Sequence, residues 1–258
     1  LTSSIDCFDA DPGHYVDMVG SPSQIPCVSG TYNPSVRSNS SSDCLDADAG
    51  HYVSNPGSPY QLVCLPGTYQ PNTGESACNN ADSGYFVNIY GALTQSECSL
   101  GTYQPQAAQS GCYNADPGYY VSSVAANQQT PCSVGTYNPS SSSTSPDSCI
   151  PAATGHFVAS EGSSSQDICS EGTYQPSEGS DICLESPEGT FVLNPGQSDY
   201  VECSAGAYQP DTKQTFCIFT DPGYFAFGNK STNQSPCAAG TYQPSSAESS
   251  CIDADIGY

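Results

Sequence analysis

Fifteen cysteines are the residues best placed to do chemistry in this chain, and they keep a regular beat. They stand at 7, 27, 44, 64, 78, 98, 112, 132, 149, 169, 183, 203, 217, 237 and 251, with gaps that alternate between 20 and either 14 or 17. Such a series, without a metal-type C-x-x-C pair, is the mark of disulfide chemistry in an oxidising compartment. Neighbouring cysteines can pair across the short gap or the long one. Loop entropy does not separate the two, because a loop of either size is worth roughly 3 kcal/mol and they differ by only about 0.3 kcal/mol.

The other candidate chemistry is sparse. Asp-Ala-Asp recurs at Asp9/Asp11, Asp46/Asp48 and Asp253/Asp255. Carboxylates one residue apart make Asp9, Asp11, Asp46 and Asp48 candidate Ca²⁺ ligands, although the Gly and Glu spacing of an EF-hand is missing and Ala153 breaks the pattern in the fifth unit. The competing reading is a turn carboxylate that caps backbone N–H groups. No other cofactor is expected. His14, His51 and His156 share one position in the unit and read as surface aromatics, since no Cys/His or Ser/His/Asp set accompanies them. An enzyme needs a non-repeated constellation in a pocket, so a non-enzyme is expected. Three N-x-S/T sequons, at Asn39, Asn229 and Asn233, are candidate N-glycan sites in turn-rich stretches. The Ser tract 140–145 suits O-linked sugars.

These residues are carried by one unit repeated seven times. Its first half reads C-x-x-A-D-P-G-Y-Y-V, best seen from Cys112 to Val121. The Gly marks a tight turn with positive φ, and the aromatic pair with Val marks a short strand. Gln recurs three residues before the second cysteine, at 24, 61, 95, 129, 166 and 234, with Tyr200 the exception; a hydrogen bond to a backbone turn is expected of it. The second half reads C-x-x-G-T-Y-Q-P. Its Tyr is the expected core-former, and its Pro ends the strand. Three-residue insertions fall at 35–43 and 140–148, in surface turns that absorb them cheaply.

The fold expected is small, disulfide-rich and mainly β or irregular: two short strands per unit, in tandem 34–37-residue repeats stacked into an elongated rod. The repeats run 7–43, 44–77, 78–111, 112–148, 149–182, 183–216 and 217–250. Residues 1–6 end a preceding repeat and 251–258 begin an eighth, so the chain reads as an excerpt of a longer polypeptide.

Composition narrows the function. The net charge is −23 with only three basic residues, which argues against nucleic acid and anionic membranes as partners. Leu, Ile, Val and Phe make up 38 of 258 residues, too few to build a core without covalent staples. No apolar run approaches the roughly 18 residues of a membrane helix.

The string C-x-x-G-T-Y-x-P followed by Cys resembles the ephrin-receptor-like and tumour-necrosis-factor-receptor-like cysteine-rich repeats over the whole chain. In that family the Cys before G-x-Y closes a loop with the next Cys. The resemblance thus implies Cys27–Cys44, Cys64–Cys78, Cys98–Cys112, Cys132–Cys149, Cys169–Cys183, Cys203–Cys217 and Cys237–Cys251, with Cys7 bridged to an upstream repeat. Family modules continue C-x-x-C-P-x-G, whereas here Ala115 follows Cys112 in place of the second cysteine. Each unit then has one bridge, and packing between neighbours must do more. The resemblance extends to fibrous surface glycoproteins of the mastigoneme type. It implies an extracellular, cell-surface structural glycoprotein that self-associates into a filament, sheath or appendage, with bridges limiting extension and repeated Tyr and Phe stacking between units. The alternative is the stalk or ligand-binding ectodomain of an adhesin or receptor, with Tyr200, Phe216, Phe219, Phe225 and Phe227 as the unusual residues on its face.

Overall fold

The computed structural model describes residues 7–255. Among them fourteen two-stranded antiparallel hairpins follow one another, every strand is two residues long, and there is no α-helix. The first hairpin pairs His14–Tyr15 with Ile25–Pro26, and the last pairs Thr241–Tyr242 with Ile252–Asp253. Each repeat therefore holds two hairpins and four strands, where the sequence announces only two strands. The hidden strands are the returning ones, such as Asn79–Asn80 and Ser96–Glu97, exposed at both residues. Nothing in such pairs favours β-structure. Pairing across the closed loop imposes it.

Turn glycines recur every 17 residues, or 20 where an insertion falls, as in Gly67, Gly84, Gly101 and Gly118. The region around Gly84 shows what each does. Its φ is +85°, and a Cβ there would overlap the carbonyl oxygen of Ala125, two hairpins on. Its N–H donates to the Gln104 carbonyl of the next hairpin at 2.7 Å, and the Val87 N–H donates to the Gln109 carbonyl at 3.0 Å. The Ala125 N–H reaches back two hairpins to the Cys98 carbonyl at 2.9 Å. The same bonds recur along the chain, so each hairpin satisfies its backbone through its neighbours rather than through a wide sheet.

The core is a narrow line of two alternating slots. One holds Ala47, Cys64, Ala81, Cys98 and Ala115 in turn, all fully buried. The other alternates Val53, Gln70, Val87, Gln104 and Val121. The repeated Tyr is not the core-former expected of it. Tyr69 and Tyr103 are half-buried, because two-residue strands leave no room beneath a sheet for a ring. Tyr69 instead lies over the cluster of Ala81, Val87 and Ala92.

The largest buried side chains are amides, and they set loop length. The Gln104 Nε2 donates to the Gly111 carbonyl at 2.7 Å, and its Oε1 accepts the Gln106 N–H at 3.1 Å. Gln70, Gln175, Gln209 and Gln243 do the same, each closing on the carbonyl just before the second cysteine. Where three residues are inserted, the slot holds Asn. Asn33 donates to Ser38 Oγ at 2.7 Å and to the His14 carbonyl at 3.2 Å, and Asn138 to the Tyr119 carbonyl at 3.0 Å. The extra residues form 3₁₀ turns at Ser41–Asp43 and Pro146–Ser148, capped by Ser40 and Ser145. Gln104→Ala should cost roughly 1–3 kcal/mol by removing the partner of the Gly111 carbonyl and the Gln106 N–H and emptying a buried slot. Gln104→Asn, one methylene too short, should not recover it. Thermal unfolding checks both, and an Asn variant as stable as the parent would refute the loop-closing role.

By contacts the chain forms two compact units. One takes residues up to Ala115 with Val121–Gln129 and Ser142–Thr144; the other takes Asp116–Tyr120, Thr130–Ser141 and residues from Ser145 on.

Candidate functional site

The residues that the sequence singles out converge on the staple of each hairpin. Seven disulfides join Cys27–Cys44, Cys64–Cys78, Cys98–Cys112, Cys132–Cys149, Cys169–Cys183, Cys203–Cys217 and Cys237–Cys251, with Cα–Cα distances of 5.6 to 5.9 Å. Each links the residue that ends one hairpin to the residue that opens the return strand of the next. Cys7 is exposed, and the upstream bridge expected of it falls outside the described residues.

The intervening hairpins use the same two positions without sulfur. Ala47 stands where a cysteine would end the hairpin, and Gln61 where its partner would open the return strand. Gln61 Oε1 accepts the Asp48 N–H at 2.7 Å, and its Nε2 donates to Asp48 Oδ2 at 2.6 Å. Gln24 with Asp11, Gln95 with Asp82 and Gln234 with Asp221 repeat the pair. Covalent and hydrogen-bonded staples thus alternate along the chain. In the sixth repeat the Asp position is Pro187, which has no N–H to offer, and the Gln position is Tyr200. The constant separation of 13 between Asp and Gln is the signal in the sequence for this pairing, and the Asp48 N–H is the turn group that Gln61 meets.

Three of the four candidate calcium ligands have partners of their own. Asp11 and Asp48 each give a carboxylate oxygen to a Gln, and Asp9 pairs with Arg37 at 2.8 Å. Asp46 lies beside Gly74. Asp253 and Asp255 are exposed near the last of the described residues. Among the described residues no group of three His, Cys, Asp or Glu side chains is placed to hold a metal.

All three basic residues of the chain, Arg37, Lys213 and Lys230, occupy one slot, seven after a turn glycine, with φ of 59–63°. From there a long side chain reaches a residue 28 to 30 positions earlier in the chain. Arg37 meets Asp9, and Lys213 meets Glu185 at 3.4 Å. Lys230 lies over the Tyr200 ring, 5.1 Å from its centroid. The Asp9 carboxylate, by hydrogen bond first, holds the Arg37 guanidinium above its ordinary pKa. Burial, then the charges of Tyr200 and Asp199, push the Tyr174 phenol up, with Lys230 opposing.

Rings join Tyr103 to Tyr113 across one hairpin at 6.0 Å and Tyr174 to Tyr200 at 5.2 Å. Both ring pairs join residues of neighbouring repeats, while the contact that recurs from hairpin to hairpin is backbone hydrogen bonding. His14, His51 and His156 each place Nδ1 3.1–3.4 Å from a nearby carbonyl, two residues earlier in the chain. Asn39, Asn229 and Asn233 are exposed.

No family model matches this chain, and a comparison with curated proteins finds no similar sequence. Seven regular disulfides place it in an oxidising, extracellular or secretory setting. No helix among the described residues is long and apolar enough to cross a membrane.

Proposed function

We propose that this protein is a structural subunit of an extracellular glycoprotein filament, sheath or surface appendage at the cell surface. The observation that carries this reading is the recurrence of one set of backbone bonds from hairpin to hairpin, with disulfide and Gln–Asp staples in alternation and side-chain chemistry directed to closure. Its action is mechanical rather than catalytic. The repeats stack into an elongated rod, staples limit how far each can extend, and rods associate with one another. Glycans on Asn39, Asn229 and Asn233, with O-linked sugars on the Ser tract 140–145, keep the acidic exterior hydrated.

A second reading is the stalk or ligand-binding ectodomain of an adhesin or receptor. It is favoured by the exposed rings of Phe216 and Phe219, at 62% and 66% exposure. Electron microscopy of native, unreduced material separates the two. Uniform fibres that fall apart in reductant are expected. Isolated rods tethered to a larger body, with no self-association, would overturn the structural reading and favour the second.

A further inference from the structure

One stretch of the chain breaks its own repeat. Phe191, Leu193, Val201, Phe216, Ile218 and Phe219 line a single groove of about 810 Å³, and all but Phe191 are more than a third exposed. At the positions 34 residues before Val201, Phe216 and Phe219 stand Asp167, Ile182 and Glu185, and 34 residues after them stand Ser235, Ser250 and Asp253. The backbone at these positions is the same hairpin in all three. The apolar side chains are therefore not required by the fold. Exposed apolar surface gathered in one place marks an interaction site.

Charge decides the occupant. Glu202 lines the groove, and the stretch of sequence that carries it, residues 185–221, holds Glu185, Glu188, Asp199, Asp211 and Asp221 against Lys213 alone. A second copy of this chain is a poor fit. It carries −23 and three cations, and these already engage Asp9, Glu185 and Tyr200. Two such faces brought together would set like charges against each other. We propose that the groove binds a polypeptide segment of a different, basic protein, with apolar or aromatic side chains seated on Phe216 and Phe219 and flanking Lys or Arg set against Glu202 and its acidic neighbours. Such a site would attach an accessory protein at one place along the array of repeats. It goes beyond the filament reading and does not depend on it.

The test uses the intact, oxidised chain and a fluorescent synthetic peptide with a Leu/Phe centre and two lysines at each end, followed by anisotropy. Saturable binding is expected. Phe216→Ser with Phe219→Ser should weaken it at least tenfold, and Glu202→Gln should weaken it several-fold with a shallower salt dependence. The substituted rings are solvent-facing, and far-UV circular dichroism with thiol titration checks that the variants stay folded and bridged. Equal binding by the Phe variant, or by a lysine-flanked peptide with a Ser centre, would overturn the proposal in favour of diffuse electrostatics. Self-association in sedimentation velocity that the Phe substitutions abolish would overturn it in favour of a second copy.

Discussion

Replacing Gly84 by Ala should destabilise the protein by roughly 2–5 kcal/mol, combining about 1–2 kcal/mol for a side chain in the left-handed region with the overlap energy of a forced contact. The second component decides the size. Non-glycine residues already occupy positive φ at Ala108, Ala125 and Ser142, so that conformation alone is tolerated. At Gly84 the missing Cβ is the space taken by the Ala125 carbonyl of a hairpin two places on. Relieving the overlap would pull that carbonyl away and loosen the Gly84 N–H bond to Gln104. Gly228 provides the control, with φ +74° and nothing within 4 Å of an added Cβ. Gly228→Ala should cost only about 1 kcal/mol, the left-handed component alone. Hydrogen exchange resolved by repeat, alongside denaturant midpoints, measures both. If the two substitutions cost the same, close approach between hairpins is not what fixes these glycines.

Reduction should have the larger effect of all. Each bridge closes a loop of 14 or 17 residues, worth roughly 3 kcal/mol through the unfolded chain. A repeat whose core is a line of Ala, Cys, Val and Gln has little else to offset the entropy of ordering it. The Gln–Asp staples remain after reduction, but two exposed hydrogen bonds replace only a fraction of a covalent closure. Loss of hairpin structure in reductant at neutral pH is the expected result, read by circular dichroism and exchange. Pulling on single molecules gives a sharper readout. With bridges intact, a 34-residue repeat releases only the 20 residues between bridges, about 70 Å at roughly 3.5 Å per residue, plus 5.7–5.9 Å across the bridge. Reduced, the same repeat releases about 120 Å. Equal increments before and after reduction would show that the bridges do not limit extension.

The repeat, its oxidising setting and its lack of a conventional core were all open to reading from residue types and spacing. Cysteine at a fixed beat, a turn Gly before each aromatic pair and a net charge of −23 are local or additive properties, and they need no knowledge of which segments meet. The division of each repeat into two like hairpins was not open in that way. Ala115 and Cys98 fill equivalent buried slots, and Gln61 stands where Cys78 stands in the next hairpin; these residues share no chemistry, and beyond the turn glycine every 17 or 20 residues it is the backbone that reveals the equivalence. The same holds for the Gln104 amide. Its partner, the Gly111 carbonyl, carries no side-chain signature, and the choice of Gln or Asn makes sense only once loop length and burial are known together. Exposed return strands such as Asn79–Asn80 lack any intrinsic preference for their conformation. They are ordered because the chain is closed on itself at one end and hydrogen-bonded to the next hairpin, which are tertiary facts. The groove on Phe216 and Phe219 lies between these cases: the departure from the repeat is written in the residues, while their gathering on one exposed face is set by the hairpins that carry them.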